Sequence, residues 1–155
     1  MGNHAIEIQE YLAENLSKGT NSFEWHTEYP IGNNPVDVAG IKNNILIIVE
    51  LEWRRADPSD NTAKLFRHVS SDTIDEQQVV VAQLFTSYYD LSGGGISSKR
   101  LNAEFVGKTA ASAYTELQYH SVDLCIDPPK RGQPLPEDWQ DAADDVLEFI
   151  KTQIT

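Results

Sequence analysis

The sequence predicts an α/β protein in which a mixed β-sheet of about five strands is flanked by helices. Five short segments are continuously apolar or alternate apolar with polar residues, whereas four longer segments repeat apolar residues at helical spacing. These segments follow the order α-β-β-β-α-β-α-β-α. Because crossover helices join neighbouring strands of one sheet, we expect a three-strand meander followed by two further strands, with helices on the faces.

The length and composition predict one domain over residues 1–155. The chain is 40% apolar and 23% charged, which is ordinary for a soluble globular protein. No apolar run approaches the ~20 residues of a membrane helix, and the N-terminus lacks the pattern of a signal peptide. The single cysteine, Cys125, excludes an internal disulfide. We therefore expect a cytoplasmic protein without a membrane segment.

The first third of the chain is predicted to hold one helix and three strands. Residues 4–17 have helical spacing, and residues 22–31 alternate aromatic with polar residues up to Pro30. Residues 35–42 and 45–53 are predicted strands separated by Asn43 and Asn44. Asparagine tolerates left-handed backbone angles, so this pair favours a two-residue hairpin turn.

The remainder of the chain is predicted to alternate helices with strands. The predicted elements are a helix over 62–70 capped by Asp60 or Asn61, a strand over 78–86, a helix from Ser97 or Ser98 to about Gln118, a strand over 121–126 and a helix from Glu137 to Gln153.

Three acidic residues stand out because the hairpin is predicted to bring them together. Glu50 and Glu52 lie two apart on one strand and therefore point to one face. In a two-residue turn Lys42 pairs with Ile45, and the same register places Asp37 directly opposite Glu50. Facing carboxylates repel each other. Either one of them holds a proton or a cation lies between them, and a hard ion such as Mg²⁺ suits oxygen ligands.

The stretch EYPIGNNPVDVAGIKNNILIIVELEWRR, residues 28–55, resembles the core of the PD-(D/E)XK nuclease superfamily, which has the restriction-endonuclease-like fold. In that pattern an Asp near the start of the second core strand precedes a hairpin and an (Asp/Glu)-x-Lys motif that closes an apolar third strand. The element order of the chain is similar to the superfamily core as well. The resemblance implies that Asp37 and Glu50 bind a catalytic Mg²⁺, with Mn²⁺ as an alternative.

Glu52 occupies the position where the superfamily usually has lysine. BamHI-type restriction enzymes carry Glu-x-Glu there, and in that interpretation Glu52 positions or deprotonates the attacking water. Alternatively the lysine has moved to Lys64 or Lys42; Lys42 is expected on the face opposite Asp37, so we favour Lys64. A degraded site without activity is a third outcome. By resemblance Glu28 joins through water or a second metal, or it is simply a solvent-facing strand residue.

The charge pattern limits the partners. The chain has 24 acidic and 12 basic residues, a net charge of −12, which is unlike a general nucleic-acid binder. Four bases nevertheless fall within fourteen residues and are candidates for nucleic-acid binding: Arg54, Arg55, Lys64 and Arg67.

Three functional hypotheses follow from these patterns. The first is a Mg²⁺-dependent endonuclease acting on DNA, which would be a homodimer if it cuts both strands. The second is a catalytically inactive nuclease-fold module that binds a protein or nucleic acid. The third is an acidic interaction protein, suggested by the acid-rich segment PEDWQDAADDVLEF.

Overall fold

The computed structural model describes residues 2–20, 22–71 and 74–154, and over these ranges it confirms the α/β class and the element order. The elements are helices α1 (Asn3–Gly19), α2 (Pro58–Val69), α3 (Ser98–Ala113) and α4 (Trp139–Ile154), and strands β1 (Glu24–Ile31), β2 (Asn34–Lys42), β3 (Ile45–Glu52), β4 (Gln78–Phe85) and β5 (Leu117–Asp123). Within the described ranges, no helix is both long and apolar enough to cross a membrane.

The five strands form one mixed sheet in the order β1-β2-β3-β4-β5. β1, β2 and β3 pair antiparallel as a meander, whereas β3, β4 and β5 pair parallel. The two parallel connections run through α2 and α3. Both crossovers advance in the same direction across the sheet, so their common handedness places both helices on one face.

Each face of the sheet carries its own apolar core, and β3 contributes to both. Leu46 and Ile48 pack with α2 and α3, whereas Ile47, Val49 and Leu51 pack with α1 and α4. This alternation confirms the predicted facing of the strand. The face with Leu46 and Ile48 is also the face of Glu50 and Glu52, because side chains two apart share a face.

The predicted hairpin turn is confirmed. Lys42 pairs with Ile45, and the ladder continues to the pair of Val38 with Val49. Asn43 has a positive φ of 51°, the left-handed conformation that asparagine accepts more readily than other side chains. The two-residue turn fixes the register between β2 and β3.

Predicted boundaries were wrong in three elements. α3 ends at Ala113 rather than near Gln118, and β5 begins at Leu117 rather than at residue 121. β5 lies at the sheet edge beside β4, so its polar residues are tolerated there and resemble a helix end in the sequence. α2 is capped by the Asp57 side chain, which accepts from the Asp60 N–H at 3.3 Å, with Pro58 as the first helical residue.

Candidate active site

Asp37 and Glu50 meet where the β2–β3 ladder ends. They are the next residues in register after the Val38–Val49 pair. The backbone N–H of Asp37 donates to Glu50 Oε2 at 3.1 Å, and the backbone N–H of Leu51 donates to Asp37 Oδ2 at 2.7 Å. Each carboxylate therefore bonds the neighbouring strand, and the two side chains are held at the same point of the sheet.

Burial makes this pair difficult to ionise. Asp37 is only 7% exposed and Glu50 only 4% exposed. Burial raises the pKa of Asp37, although hydrogen bonds with the Glu50 side chain and the Leu51 N–H oppose the rise. Burial raises the pKa of Glu50 well above its usual range, and the neighbouring Asp37 carboxylate adds to the rise. A proton or a cation between the two carboxylates removes this repulsion.

Glu52 is completely buried and is held from two other elements. Its Oε1 accepts from Asn61 Nδ2 on α2 at 2.7 Å and from Gln83 Nε2 on β4 at 3.0 Å. Its Oε2 is buried without a hydrogen bond in the described structure, although Arg55 Nε lies 3.5 Å away. Burial raises the pKa of Glu52, while the hydrogen bonds from Gln83 and Asn61 oppose the rise.

Gln83 links this carboxylate to the rest of the core. Its Nε2 also donates to Thr62 Oγ1 at 2.8 Å, and its Oε1 accepts from the Tyr119 hydroxyl at 2.6 Å. Gln83 pairs with Glu50 across the β3–β4 ladder, so its side chain lies on the carboxylate face. The sequence offered one signal for this role: Gln83 is a polar residue inside an otherwise apolar central strand. We did not predict it.

Glu28 lies on β1, between the Thr27–Val38 and Tyr29–Val36 pairs and therefore level with Asp37. Its φ of 49° is strained for a residue other than glycine. Its exposed side chain accepts from Gln9 Nε2 on α1 at 3.1 Å. Gln9 is itself buried, and its Oε1 has no hydrogen bond in the described structure. α1 thus holds the fourth acidic side chain beside the pair.

The four predicted cationic residues divide into two groups. Arg54 and Arg55 follow Trp53 after the end of β3, and Arg55 reaches Glu52 as described. Lys64 and Arg67 lie on the exposed side of α2, where Lys64 Nζ pairs with Asp60 at 3.1 Å. The structure therefore brings one predicted cation, Arg55, to the carboxylates and places Lys64 in a surface ion pair.

The carboxylates do not form a ready metal cage. Among residues 2–20, 22–71 and 74–154, no three or more His, Cys, Asp or Glu side chains are grouped so as to hold a metal ion. Mg²⁺ in proteins usually keeps several waters and takes only one or two carboxylates, with substrate phosphate as a further ligand. The paired oxygens of Asp37 and Glu50 and the unbonded Oε2 of Glu52 fit that kind of partial site.

No protein-family model, no curated protein and no solved structure matches this chain. The candidate site therefore depends on the geometry of its own residues.

Proposed function

We propose that this chain is a metal-dependent nuclease that hydrolyses phosphodiester bonds, with DNA as the substrate and endonucleolytic cleavage as the reaction. The observation that carries the proposal is the pair of buried carboxylates of Asp37 and Glu50, each accepting from a backbone N–H of the neighbouring strand, with Glu52 on the same face. The resemblance of residues 28–55 to the PD-(D/E)XK pattern supports the same assignment. Cleavage of both DNA strands would require two copies of the chain, and we propose a homodimer for that activity.

In this proposal Asp37 and Glu50 would hold Mg²⁺ or Mn²⁺. A divalent cation there supplies an acidified water and neutralises charge on the phosphate and the leaving oxygen. Asp37 and Glu50 serve this purpose because they are acceptor-only groups when ionised, fixed by backbone N–H donors from each other's strands. Burial keeps competing water away from them.

Glu52 is proposed to orient the attacking water and accept its proton through Oε2. Asn61 and Gln83 both donate to Oε1, so Oε2 is the oxygen left for this role. The raised pKa makes Glu52 a better proton acceptor than an exposed carboxylate. Arg55, whose Nε lies 3.5 Å from that oxygen, is proposed to neutralise the substrate phosphate. Glu28 on β1 is proposed to bind the metal ion through a water. Lys64 as the displaced lysine stays a prediction.

The test is nicking of supercoiled plasmid in Mg²⁺ or Mn²⁺ by wild type, Asp37→Asn and Glu50→Gln. We expect metal-dependent nicking by wild type and a loss of at least about a hundredfold in each variant, because metal ligands act as a unit. Glu116→Gln is the matched control, since Glu116 is an exposed acid just before β5. Nicking that is absent in wild type, or equal in all four proteins, argues against a nuclease.

A catalytically inactive nuclease-fold module is the second candidate. The ion pair between Arg55 and the one unbonded oxygen of Glu52 favours it, because a neutralised Glu52 is a poor base. This candidate predicts a folded protein that binds DNA or a protein partner and does not nick plasmid under any metal. An acidic interaction protein is a separate alternative. The exposed acids of α4, such as Asp144 and Asp145, are the feature that favours it.

A further inference from the structure

A groove of about 1070 Å³ lies beside the end of β3, on the face opposite Glu50 and Glu52. One wall is the strand end, one is the start of α1 and one is a loop before α4. The lining includes Trp53, Arg54 and Arg55 after β3, His4 on α1, and Lys130 and Arg131 in the loop. The groove was not predicted, because its walls are far apart in the sequence.

The groove is basic on a strongly acidic protein. Four of the chain's 12 bases line it, and none of the lining residues is Asp or Glu: Arg54, Arg55, Lys130 and Arg131. Their side chains are exposed. Within the described part of the chain, Arg55 pairs with Glu52, whereas Arg54, Lys130 and Arg131 form no ion pair. A cluster of uncompensated cations at net charge −12 attracts a polyanion to this position.

The walls of the groove are held in place by hydrogen bonds between its three parts. Arg54 Nη1 donates to the Pro129 carbonyl at 3.5 Å, and His4 Nε2 lies 2.7 Å from the Gln133 carbonyl. The Gln133 N–H closes a turn on the Lys130 carbonyl at 3.0 Å. Lys130 and Arg131 therefore project from a braced loop, and ordering that loop on binding costs little entropy.

The groove also adjoins the carboxylate site. Arg55 lines the groove and contacts Glu52, and Leu51 lines the groove while its N–H holds Asp37. Half-buried Trp53 adds an aromatic surface beside the cations, a combination that suits phosphates next to bases.

We infer that this groove binds the phosphate backbone of DNA, with Lys130 and Arg131 as phosphate contacts on the wall away from β3. The inference rests on the proposed function for the identity of the polyanion. It assigns substrate binding to the loop before α4 and to Arg54 and Arg55, rather than to Lys64 and Arg67 on α2. The DNA strand then reaches the carboxylates at the end of β3, where Arg55 both lines the groove and contacts Glu52.

The experiment is fluorescence anisotropy of a labelled DNA duplex in EDTA, where cleavage is blocked, over a salt series. We expect Lys130→Gln/Arg131→Gln to weaken binding about tenfold near 0.1 M salt. The slope of log K against log salt should become shallower by about two, one unit for each phosphate contact. Lys99→Gln/Lys108→Gln on α3 is the control, since it changes the net charge equally at exposed lysines outside the groove.

The inference is overturned if both double variants bind like wild type, if both weaken equally, or if folded wild type does not bind DNA. These outcomes are separate from failure of the nuclease. If wild type binds DNA through Lys130 and Arg131 but never nicks plasmid, the groove inference stands and the nuclease proposal fails. If wild type nicks plasmid but the Lys130→Gln/Arg131→Gln variant binds DNA like wild type, the nuclease proposal stands and the groove inference fails.

Discussion

Burial raises the pKa values of both Asp37 and Glu50; the Asp37 charge raises that of Glu50 further, whereas the hydrogen bond with Glu50 opposes the rise at Asp37. The sequence was sufficient to pair them, since a two-residue turn at Asn43 and Asn44 fixes every facing pair in the hairpin. Their charge states could not be predicted in the same way. The charge states depend on burial and on hydrogen bonds from neighbouring strands, and a local sequence pattern reveals neither.

The pair makes stability depend on pH. A carboxyl group with a raised pKa in the folded state keeps its proton after the unfolded chain has lost it, so stability falls as pH rises from about 4 through the raised pKa values. We expect the Tm of wild type in EDTA to drop as the pH rises above about 4. The Asp37→Asn/Glu50→Gln variant should drop less, as measured by differential scanning fluorimetry.

Glu116→Gln controls for the general effect of removing an acid, because Glu116 is exposed. Its Tm should follow the pH dependence of wild type. A double variant whose Tm falls as steeply as that of wild type would show that the pair ionises normally in the folded protein.

Gln83 is the residue whose removal should disturb the site most without removing a carboxylate. Gln83→Leu removes one hydrogen bond from each of the Thr62 and Tyr119 hydroxyls and one of two donors to Glu52. We expect a loss of about 1–3 kcal/mol in the free energy of unfolding by urea titration. Gln78→Leu, at an exposed position of the same strand, should change it by less than about 0.5 kcal/mol. Equal losses would contradict the network.

At the scale of elements, the β2–β3 hairpin is the part that determines the site. The described residues with positive φ, apart from glycines, are Glu28 and Asn43, which lie on the edge strand and in the turn. Asn43 lies in the turn that sets the register of Asp37, and Glu28 lies level with Asp37 on β1. The sequence predicted the turn from its two asparagines, whereas nothing in the alternating pattern of β1 indicated the unusual backbone at Glu28.

The turn can be tested by one substitution and its neighbour. Asn43→Val places a β-branched residue at a φ of 51° and should cost about 1–2 kcal/mol. Asn44→Val should cost less, because Asn44 is not among the residues with positive φ. Urea denaturation of the two variants checks the order of their stabilities. A larger loss at Asn44 would mean that the turn has another conformation.

Two of the three elements with wrong boundaries are β5, at the far edge of the sheet, and α3, which leads into it. β5 has one neighbour, β4, and carries polar residues along much of its length, so its pattern resembled the end of a helix. The central strands were predicted correctly because burial on both faces leaves a continuous apolar run. Edge strand β1 was also predicted correctly, because Pro30 and its aromatic alternation mark it, whereas the polar residues of β5 give no such signal.

At the scale of the whole molecule, several basic residues are concentrated in one place although the net charge is strongly negative. The chain is acidic overall, yet four bases gather around one groove beside the carboxylates. The sequence predicted the part of this cluster that follows β3. It could not predict Lys130 and Arg131, because only the fold brings the loop before α4 to the end of a strand about 75 residues earlier.

We propose that Asp37 and Glu50 are buried in order to hold a divalent cation rather than to shape the hairpin. Titration of the metal-free protein with Mn²⁺, followed by the electron paramagnetic resonance signal of the free ion, tests it most directly. We predict saturable binding by wild type that is lost in Asp37→Asn and in Glu50→Gln and kept in Glu116→Gln. Binding that is unchanged in the first two variants, or absent from folded wild type, would contradict the claim.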